Sequence, residues 1–308
     1  MTDPSVFVIG TRGSPLALAQ AHQTQGLLAG ALGLDLAQVP LQIIRTTGDA
    51  IQDRPLSEAG GKGLFTKELD EALIGGRIDL AVHSAKDLPT ALPLGLTIAG
   101  YLAREDPRDA LISSVGTSLD DLPSGALFGS ASLRRRAQAK RLRPDLRVTL
   151  LRGNVETRLA KVERGEVGAT LVAVAGLKRL RLAYRITAVL EPDAFLPAVG
   201  QGAIAIVTRN GDDRVGAAVQ RILDRATGVA LAAERSFLAV LDGSCRTPIA
   251  GHGSLGGAGL SFRGLVLRPD GSDSVEAWGE GPEDDAERIG REAGTDVRAR
   301  LPAGFLAA

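Results

Sequence analysis

The chain contains a single cysteine, Cys245, in a stretch whose composition is that of an exposed turn. Gly243 and Ser244 precede it without crowding the sulfur, Pro248 ends any helix, and Arg246 supplies a positive field that favours the thiolate. A lone cysteine can form neither an internal disulfide nor a thiolate cage for a metal ion. The residues therefore leave two alternatives open, a chemically reactive thiol and an inert, packed side chain.

Short polar loops follow several predicted β-strands and carry hydroxyl groups or cations. They are Thr11-Arg12-Gly13-Ser14, His83 to Pro89, Gly129 to Arg135, and Arg152-Gly153-Asn154 with Arg158 one turn further on. Ligands of α/β proteins bind beyond the carboxyl ends of the strands, and arginine is the usual bidentate partner of a carboxylate or phosphate. Together these loops predict a site for an anionic ligand, although each alone could be a capped helix with a surface arginine.

Asp87 differs from the other polar residues of these loops because it is an acid among cations. A carboxylate in that position is poorly placed to bind an anion, but it can hold an N–H donor or stabilise a developing positive charge. The alternative is a turn residue that bonds its own backbone ahead of Pro89.

The sequence supports neither a nucleotide-binding site nor a metal-binding site. Gly60-Gly61-Lys62-Gly63 is similar to a phosphate loop, but a Walker A motif requires Gly at position 56 and Ser or Thr at position 63, where this chain has Leu and Gly. The three histidines lie far apart and no acidic pairing motif accompanies them, so we expect no metal site.

The formal net charge of the 308 residues is zero, but the charges are unevenly distributed. Gly129 to Gly165 contains eleven Lys or Arg against three acids, whereas Asp270 to Arg300 contains ten acids and four Arg. The middle of the chain is therefore the expected seat of an anionic ligand. An aromatic content of 3% argues against base stacking on nucleic acid. No signal peptide or apolar run of about 18 residues is found, which predicts a cytoplasmic protein without a membrane span.

The first two-thirds of the chain alternates β-rich runs with helical patterns, which is typical of a mostly parallel α/β sheet. Strands are predicted at 6–9, 41–45, 78–82, 96–101, 110–113, 127–129, 148–151, 170–174 and 203–208, and helices at 15–31, 64–74, 133–142, 155–163 and 176–182. After Thr227 a helix over 229–241 is followed by strands at 248–254, 260–267 and 274–278 and an acidic helix over 283–300. This pattern predicts a small C-terminal α+β domain.

Several motifs, in order along the chain, resemble the porphobilinogen deaminase family. They are Thr11 to Ala17, Gly60 to Lys67, Ala81 to Pro89, Arg104 to Ala110, Ser132 to Arg135, Leu151 to Asn154, Ala173 to Arg179, Leu196 to Gly202 and the Cys245 loop. The resemblance implies two α/β domains like type II periplasmic binding proteins, with an interdomain cleft, and a small α+β domain that carries the cysteine. The expected bounds are 1–102 with 199–222, 103–198, and 223–308.

The implied reaction joins four porphobilinogen molecules head to tail, releases four ammonia molecules and yields the linear tetrapyrrole hydroxymethylbilane. By resemblance Cys245 carries a dipyrromethane cofactor through a thioether and Asp87 is the catalytic carboxylate. Cofactor contacts are expected from Ser84, Lys86, Asp87, Ser130, Ser132, Arg134 and Arg135. Substrate contacts are expected from Arg12, Ser14, Gln20, Lys62, Arg152, Arg158, Arg179 and Gln201. The resemblance implies a monomer, with no metal, nucleic acid or membrane partner.

The sequence departs from the family pattern at four positions. Ala131 stands where a hydroxyl residue is common, Ser244 replaces a glycine, and Arg246-Thr247 replaces a small residue and a valine. None of these changes removes a charge or the sulfur. The main alternative is a non-catalytic solute-binding or ligand-sensing protein for a polycarboxylate, and a nucleic-acid surface on the basic segment is a weaker one.

Overall fold

A computed structural model describes residues 7–50, 65–242 and 247–305, which form two units. Unit 1 contains the described residues of 7–50, 65–105 and 203–228, and unit 2 contains those of 106–202 and 229–305. Residues 106–202 and the C-terminal residues thus share one unit. The boundary between a second and a third domain at residue 223 stays a prediction.

The β-strands are β1 (Ile9–Thr11), β2 (Leu41–Ile43), β3 (Leu80–Ser84), β4 (Leu96–Tyr101), β5 (Asp109–Ser113), β6 (Leu127–Gly129), β7 (Arg147–Thr149), β8 (Ala169–Ala173), β9 (Ala188–Leu190), β10 (Ile204–Arg209), β11 (Ile249–Gly256), β12 (Gly259–Leu267) and β13 (Ser274–Gly281). The α-helices are α1 (Pro15–Leu32), α2 (Thr47–Ala50), α3 (Lys67–Ile74), α4 (Leu133–Leu142), α5 (Val155–Glu163), α6 (Val174–Arg179), α7 (Asp213–Gln220), α8 (Arg225–Val240) and α9 (Ala286–Arg300).

Unit 1 contains a mixed five-stranded sheet in the order β2-β1-β3-β10-β4. β1 is parallel to β2 and β3, whereas β10 is antiparallel to β3 and β4. In this ladder Ala205 of β10 faces His83 of β3. Apolar side chains of β1, β3 and β10 pack against α1 and α7 to form the core.

Unit 2 contains a second mixed sheet in the order β7-β6-β8-β5-β9, where β5 is antiparallel to β8 and β9. Its third sheet is the antiparallel meander β11-β12-β13, which matches the predicted C-terminal pattern. Phe237 of α8 and Phe262 of β12 meet in the core of this meander, with ring centroids 5.2 Å apart.

The structure differs from the sequence predictions in strand direction and in three elements. We expected mostly parallel sheets, but two of the four pairings in each five-stranded sheet are antiparallel. Helices α2 and α7 and strand β9 were not predicted. α7 contains Gly216, a poor helix former, and its start is marked only by Asp212, whose carboxylate accepts a hydrogen bond from Val215 N at 3.2 Å. β9 is three residues long, which is too short to show an alternating pattern.

Local sequence rules explain how α1 begins and ends. The Ser14 hydroxyl caps the helix by accepting a hydrogen bond from Ala17 N at 3.3 Å, and Pro15 follows in the first helical position. Gly33 ends the helix in the left-handed conformation, with φ of 67°. The capped end therefore lies directly after β1.

The lone tryptophan, Trp278, lies on β13 and is 65% exposed. The Arg263 guanidinium lies 5.9 Å from its ring centroid.

Within the described ranges, no helix combines the length and the apolar character that crossing a bilayer would require.

A buried carboxylate on α8 joins separate backbone segments of unit 2. Glu234 is fully buried, and its two oxygens accept hydrogen bonds from Gly200 N at 2.6 Å and Gly253 N at 2.8 Å. Because backbone N–H groups in this environment have no water to bond, the carboxylate fixes both segments to α8.

We expect Glu234→Leu to lower the free energy of unfolding by about 2–5 kcal/mol, because it leaves two buried N–H groups without an acceptor. Denaturant unfolding followed by circular dichroism measures the change. The matched control is Glu280→Leu at an exposed position of β13, where we expect a change within about 0.5 kcal/mol. Equal effects of the two substitutions would show that the Glu234 contacts do not stabilise the unit.

Candidate active site

The carboxyl ends of β1 and β3 open into a recess in unit 1. It is lined by Arg12, Ser14, Leu16, Ala17, Gln20, Phe65, Val82, His83, Ser84 and Asp87. The loop after β1 and the start of α1 supply one side, and the end of β3 with the 3-10 turn Ala85–Asp87 supplies the other. The structure therefore brings together five predicted site residues, namely Arg12, Ser14, Gln20, Ser84 and Asp87.

Two contacts hold polar side chains of the recess in place. The Arg12 guanidinium lies over the ring of Phe65, with its carbon 4.2 Å from the centroid. The Ser84 hydroxyl oxygen lies 2.9 Å from Nε2 and 3.1 Å from Oε1 of Gln20. A cation–π contact and a hydrogen-bonded pair thus orient a cation, a hydroxyl and an amide before any ligand binds.

The Asp87 carboxylate is exposed at the end of the 3-10 turn. Among the described residues it accepts no hydrogen bond and forms no ion pair, so its oxygens remain available to a ligand. Lys86 precedes it on the same turn and is half-buried. The turn is fixed to the sheet by the hydrogen bond from Ala85 N to Ala203 O at 3.0 Å.

His83 lines the recess but is not one of the predicted site residues. It is 6% exposed, and its Nε2 is buried without a hydrogen-bond partner in the described part of the chain. Burial lowers the pKa of His83 to about 4, and the nearby Arg12 guanidinium lowers it in the same direction. The imidazole is therefore neutral at pH 7.

Two serines of unit 2 lie at the start of α4, after β6. The Ser132 hydroxyl caps α4 by accepting a hydrogen bond from Arg135 N at 3.4 Å, and the Ser130 hydroxyl accepts one from Ser132 N at 3.1 Å. Each hydroxyl keeps its own proton to donate. The serines therefore support the helix start and can still donate to a ligand.

Arg134 and Arg135 converge on a buried carboxylate, Asp109, at the start of β5. Arg134 Nη2 donates to Asp109 Oδ2 at 2.8 Å, and Arg135 donates to Asp109 Oδ1 through Nε at 3.0 Å and Nη2 at 2.7 Å. Burial alone would raise the pKa of Asp109, but the two guanidiniums outweigh it and hold that pKa below its usual range. The carboxylate is therefore ionised although it is fully buried.

The other predicted substrate-binding residues of unit 2 occupy separate places. Arg158 Nε donates to Gly153 O at 2.8 Å, next to the half-buried Arg152, and Arg179 Nη2 donates to Gly202 O at 2.8 Å. Gln201 is fully buried, and its Nε2 donates to Asp109 Oδ1 at 3.1 Å. Gln201 thus belongs to the Asp109 cluster of unit 2 rather than to the recess of unit 1.

Family models match nearly the whole described chain. The model "Porphobilinogen deaminase, dipyromethane cofactor binding domain" matches residues 7–217, and the model "Porphobilinogen deaminase, C-terminal domain" matches residues 229–299. The chain belongs to the porphobilinogen deaminase family. It is therefore an enzyme, a hydroxymethylbilane synthase of tetrapyrrole biosynthesis, and its cofactor is dipyrromethane.

Curated relatives agree with this assignment. The porphobilinogen deaminases of Nitrobacter hamburgensis and Nitrobacter winogradskyi are each 57% identical to this chain over 298 residues, which cover 97% of this chain and 94% of each relative. These relatives do not favour the alternative of a non-catalytic solute-binding protein. The predicted combination of two α/β sheets with a small C-terminal α+β region is confirmed.

A solved structure of the methionine binding protein MetQ is 15% identical and covers 78% of this chain and 96% of its own, with a TM-score of 0.43. A likeness of this size carries no argument about function.

Two residues that the porphobilinogen deaminase resemblance singles out, Lys62 and Cys245, lie outside the described residues. Sequence reasoning also missed three residues inside motifs that it had quoted. His83 lies beside Ser84, Phe65 lies in the Gly60 to Lys67 motif, and Asp109 lies in the Arg104 to Ala110 motif. Membership of a quoted motif was the only sequence signal for these three residues. It could not show what they do, because their contacts are with residues far away in the sequence.

We expect the stability of unit 1 to depend on pH through His83. The unfolded imidazole, with a pKa of about 6.5, binds more protons than the folded one between pH 6.5 and 4, so folding weakens as the pH falls through this range. The expected loss between pH 7 and 5 is about 2 kcal/mol, and His83→Asn should remove that part of the loss. Denaturant unfolding at the two pH values measures it. His22→Asn, at an exposed histidine of α1, is the control; an undiminished loss in His83→Asn would contradict the buried, neutral ring.

Proposed function

We propose that Asp87 is the catalytic carboxylate for the condensation of four porphobilinogen molecules into hydroxymethylbilane, primed by a dipyrromethane on Cys245. The observation that carries this proposal is the exposed Asp87 carboxylate, which has no partner among the described residues. The other polar groups that line its recess are a cation, hydroxyls, an amide and a neutral imidazole. An unpaired acid in such surroundings is suited to an N–H donor or a positive charge.

Each addition creates positive charge on the substrate. The bond between the aminomethyl carbon and nitrogen breaks, and its electron pair leaves with ammonia. The remaining charge spreads over the methylene carbon and the pyrrole ring, and a carboxylate beside the pyrrole N–H stabilises it. A ring carbon of the growing chain then attacks the methylene to form a new carbon–carbon bond, and this ring carbon loses its proton to solvent. Asp87 holds the N–H throughout, since its oxygens accept but do not donate.

The cations are proposed to hold the carboxylates of the substrate and the growing chain. Every porphobilinogen carries an acetate and a propionate, so negative charge accumulates with each addition. In unit 1 we assign this role to Arg12, which Phe65 supports, together with Ser14, Gln20 and Lys62. In unit 2 we assign it to Arg152, Arg158 and Arg179. We do not assign it to Gln201, because its Nε2 donates to Pro107 O and Asp109 Oδ1 and has no hydrogen left for a substrate carboxylate. A charge-assisted hydrogen bond contributes about 1.5–3 kcal/mol, so several are needed for each intermediate.

The residues proposed for the cofactor fit a polycarboxylate. Arg134, Arg135 and Asp109 are all buried and carry a net charge of +1, and the Nε of Arg134 is buried without a partner in the described residues. A ligand carboxylate would balance this charge. We therefore propose that Ser84, Lys86, Asp87, Ser130, Ser132, Arg134 and Arg135 hold the dipyrromethane. When bound, the cofactor supplies the pyrrole ring to which the first substrate is added.

We also propose that the enzyme acts as a monomer in the cytoplasm and needs no metal ion. Near absence of cysteine supports the reducing compartment, and the resemblance supports the monomer. The three-domain division at residues 1–102 with 199–222, 103–198 and 223–308 belongs to the same proposal.

Asp87→Ala is expected to fold and bind substrate, but to lower turnover at saturating porphobilinogen by at least about 100-fold, because the developing positive charge loses its stabilising anion. The rate of hydroxymethylbilane release measures this effect. Glu71→Ala, which removes an exposed carboxylate from α3 of the same unit, is the control and should keep normal turnover. Near-normal turnover of Asp87→Ala would show that another group stabilises the charge.

Cys245→Ser is expected to abolish turnover and to leave the protein without a covalent adduct. The intact mass of the purified wild-type protein should exceed the sequence mass by one dipyrromethane, and that of the variant should equal its sequence mass. An active variant without an adduct would contradict the attachment of the cofactor at Cys245.

A further inference from the structure

The Asp109 cluster combines three side chains that water hardly reaches. The Arg134, Arg135 and Asp109 side chains are 5%, 7% and 0% exposed, and two guanidiniums face one carboxylate. Since an unbalanced buried charge is costly, the cluster needs an additional anion or must hold its cations very firmly. The hydrogen bonds show how firmly each guanidinium is held.

The two guanidiniums use their N–H groups differently. Arg134 donates from Nη1 to Leu196 O at 2.7 Å and from Nη2 to Asp109. Arg135 turns its Nε and Nη2 toward Asp109 Oδ1, so in the rigid, planar group its Nη1 lies on the side away from this carboxylate. Within the described ranges Arg135 Nη1 has no hydrogen-bond acceptor. The described residues therefore do not use this N–H edge, which can donate to a ligand.

A fourth side chain fixes the carboxylate itself. Gln201 Nε2 donates to Pro107 O at 2.7 Å and to Asp109 Oδ1 at 3.1 Å, while Gln201 Oε1 lies 3.5 Å from Arg135 Nη2. The Asp109 oxygen that holds Arg135 is therefore held in turn by a buried amide. Such a chain of support is what a site needs to keep a guanidinium in one orientation.

We infer that Asp109 is a positioning residue for the cofactor, in that it orients Arg135 so that Nη1 meets a carboxylate of dipyrromethane. The inference rests on the proposed function, which assigns Arg135 to the cofactor. Asp109 itself touches neither the cofactor nor the reacting atoms. Its contribution is to fix the direction of the arginine that does.

A purely electrostatic role for Asp109 makes the opposite prediction. If only net charge mattered, removing this carboxylate would make the cluster more cationic and a better binder of anions. If Asp109 positions Arg135, its removal frees the guanidinium, and anion capture becomes slower despite the greater positive charge. The sign of the effect therefore separates the two roles.

The experiment compares Arg134→Gln with the double variant Arg134→Gln/Asp109→Asn. The cluster has a net charge of zero in the first and +1 in the second. Each apoprotein is incubated with excess porphobilinogen, and the rate at which it gains the adduct mass is followed by intact mass spectrometry. We expect the double variant to gain the adduct at least about 10-fold more slowly than Arg134→Gln, since a misplaced binding group can cost two orders of magnitude. An equal or faster rate in the double variant would overturn the inference.

A second variant, Asp109→Glu, tests the positioning role if neither Arg134→Gln nor Arg134→Gln/Asp109→Asn gains the adduct. It keeps the charge of the cluster but displaces the carboxylate by one methylene. We expect the adduct to form at least about 10-fold more slowly than in the wild type, in a protein whose circular dichroism spectrum is native. A rate of adduct formation within twofold of that of the wild type would contradict the positioning role of Asp109.

Asp106→Asn is the matched control for these variants. Asp106 lies in the same unit and pairs with Arg108 at 2.8 Å, outside the Asp109 cluster, and its loss should leave the rate of adduct formation unchanged. A wild-type protein that never gains the adduct would overturn the proposed function itself. A wild-type protein that gains it, with variants that behave as charge alone dictates, would overturn only the positioning role of Asp109.

Discussion

A carboxylate that water cannot reach stays ionised only when cations are fixed against it, and Asp109 meets this condition through Arg134 and Arg135. The requirement works in both directions, because each guanidinium is itself buried and needs an anion. It therefore ties the first turn of α4 to the start of β5. The Arg134 contact with Leu196 O adds the chain segment after β9 to the same assembly. The arrangement of these three chain segments of unit 2 therefore depends on the pairing of Asp109 with the two guanidiniums.

Unit 1 also contains an aspartate at its candidate site, but in the opposite environment from that of Asp109. Asp87 is exposed and lies on a short turn, where solvation by water keeps the free-energy cost of its charge low. Its backbone is held by the sheet, through Ala85 and Ala203, while its oxygens stay unengaged by the described residues. The two aspartates thus differ in environment, because one is surrounded by cations of its own unit and the other has no partner among the described residues.

The sequence predicted those features that depend on neighbouring residues. The caps at Ser14, Ser132 and Asn154 follow from local hydrogen bonding, and the helices after them begin where they were expected. Strand direction was not predictable, because β10 chooses β3 and β4 as partners across more than a hundred residues of chain. Periodicity within a strand says nothing about such a choice.

The composition of the candidate site was easier to predict than its internal organisation. Motifs identified the cations and Asp87, yet no pattern could show that Arg134 and Arg135 share Asp109, which lies 25 and 26 residues away. Nor could a pattern show that His83 lies buried in the recess instead of in the core. Both outcomes depend on tertiary packing, which decides whether a charged group meets another residue or remains open to a ligand.

The exposed position of Trp278 has a practical consequence for optical work on this chain. An indole that already contacts water emits much as it does in an unfolded chain, so its fluorescence changes little on unfolding. The single tryptophan, moreover, belongs to the C-terminal meander, where its ring lies near Arg263 of β12, and so reports only on that part of unit 2. A fluorescence trace without a transition would thus say nothing about unit 1, whose unfolding must be followed with another probe such as far-UV circular dichroism.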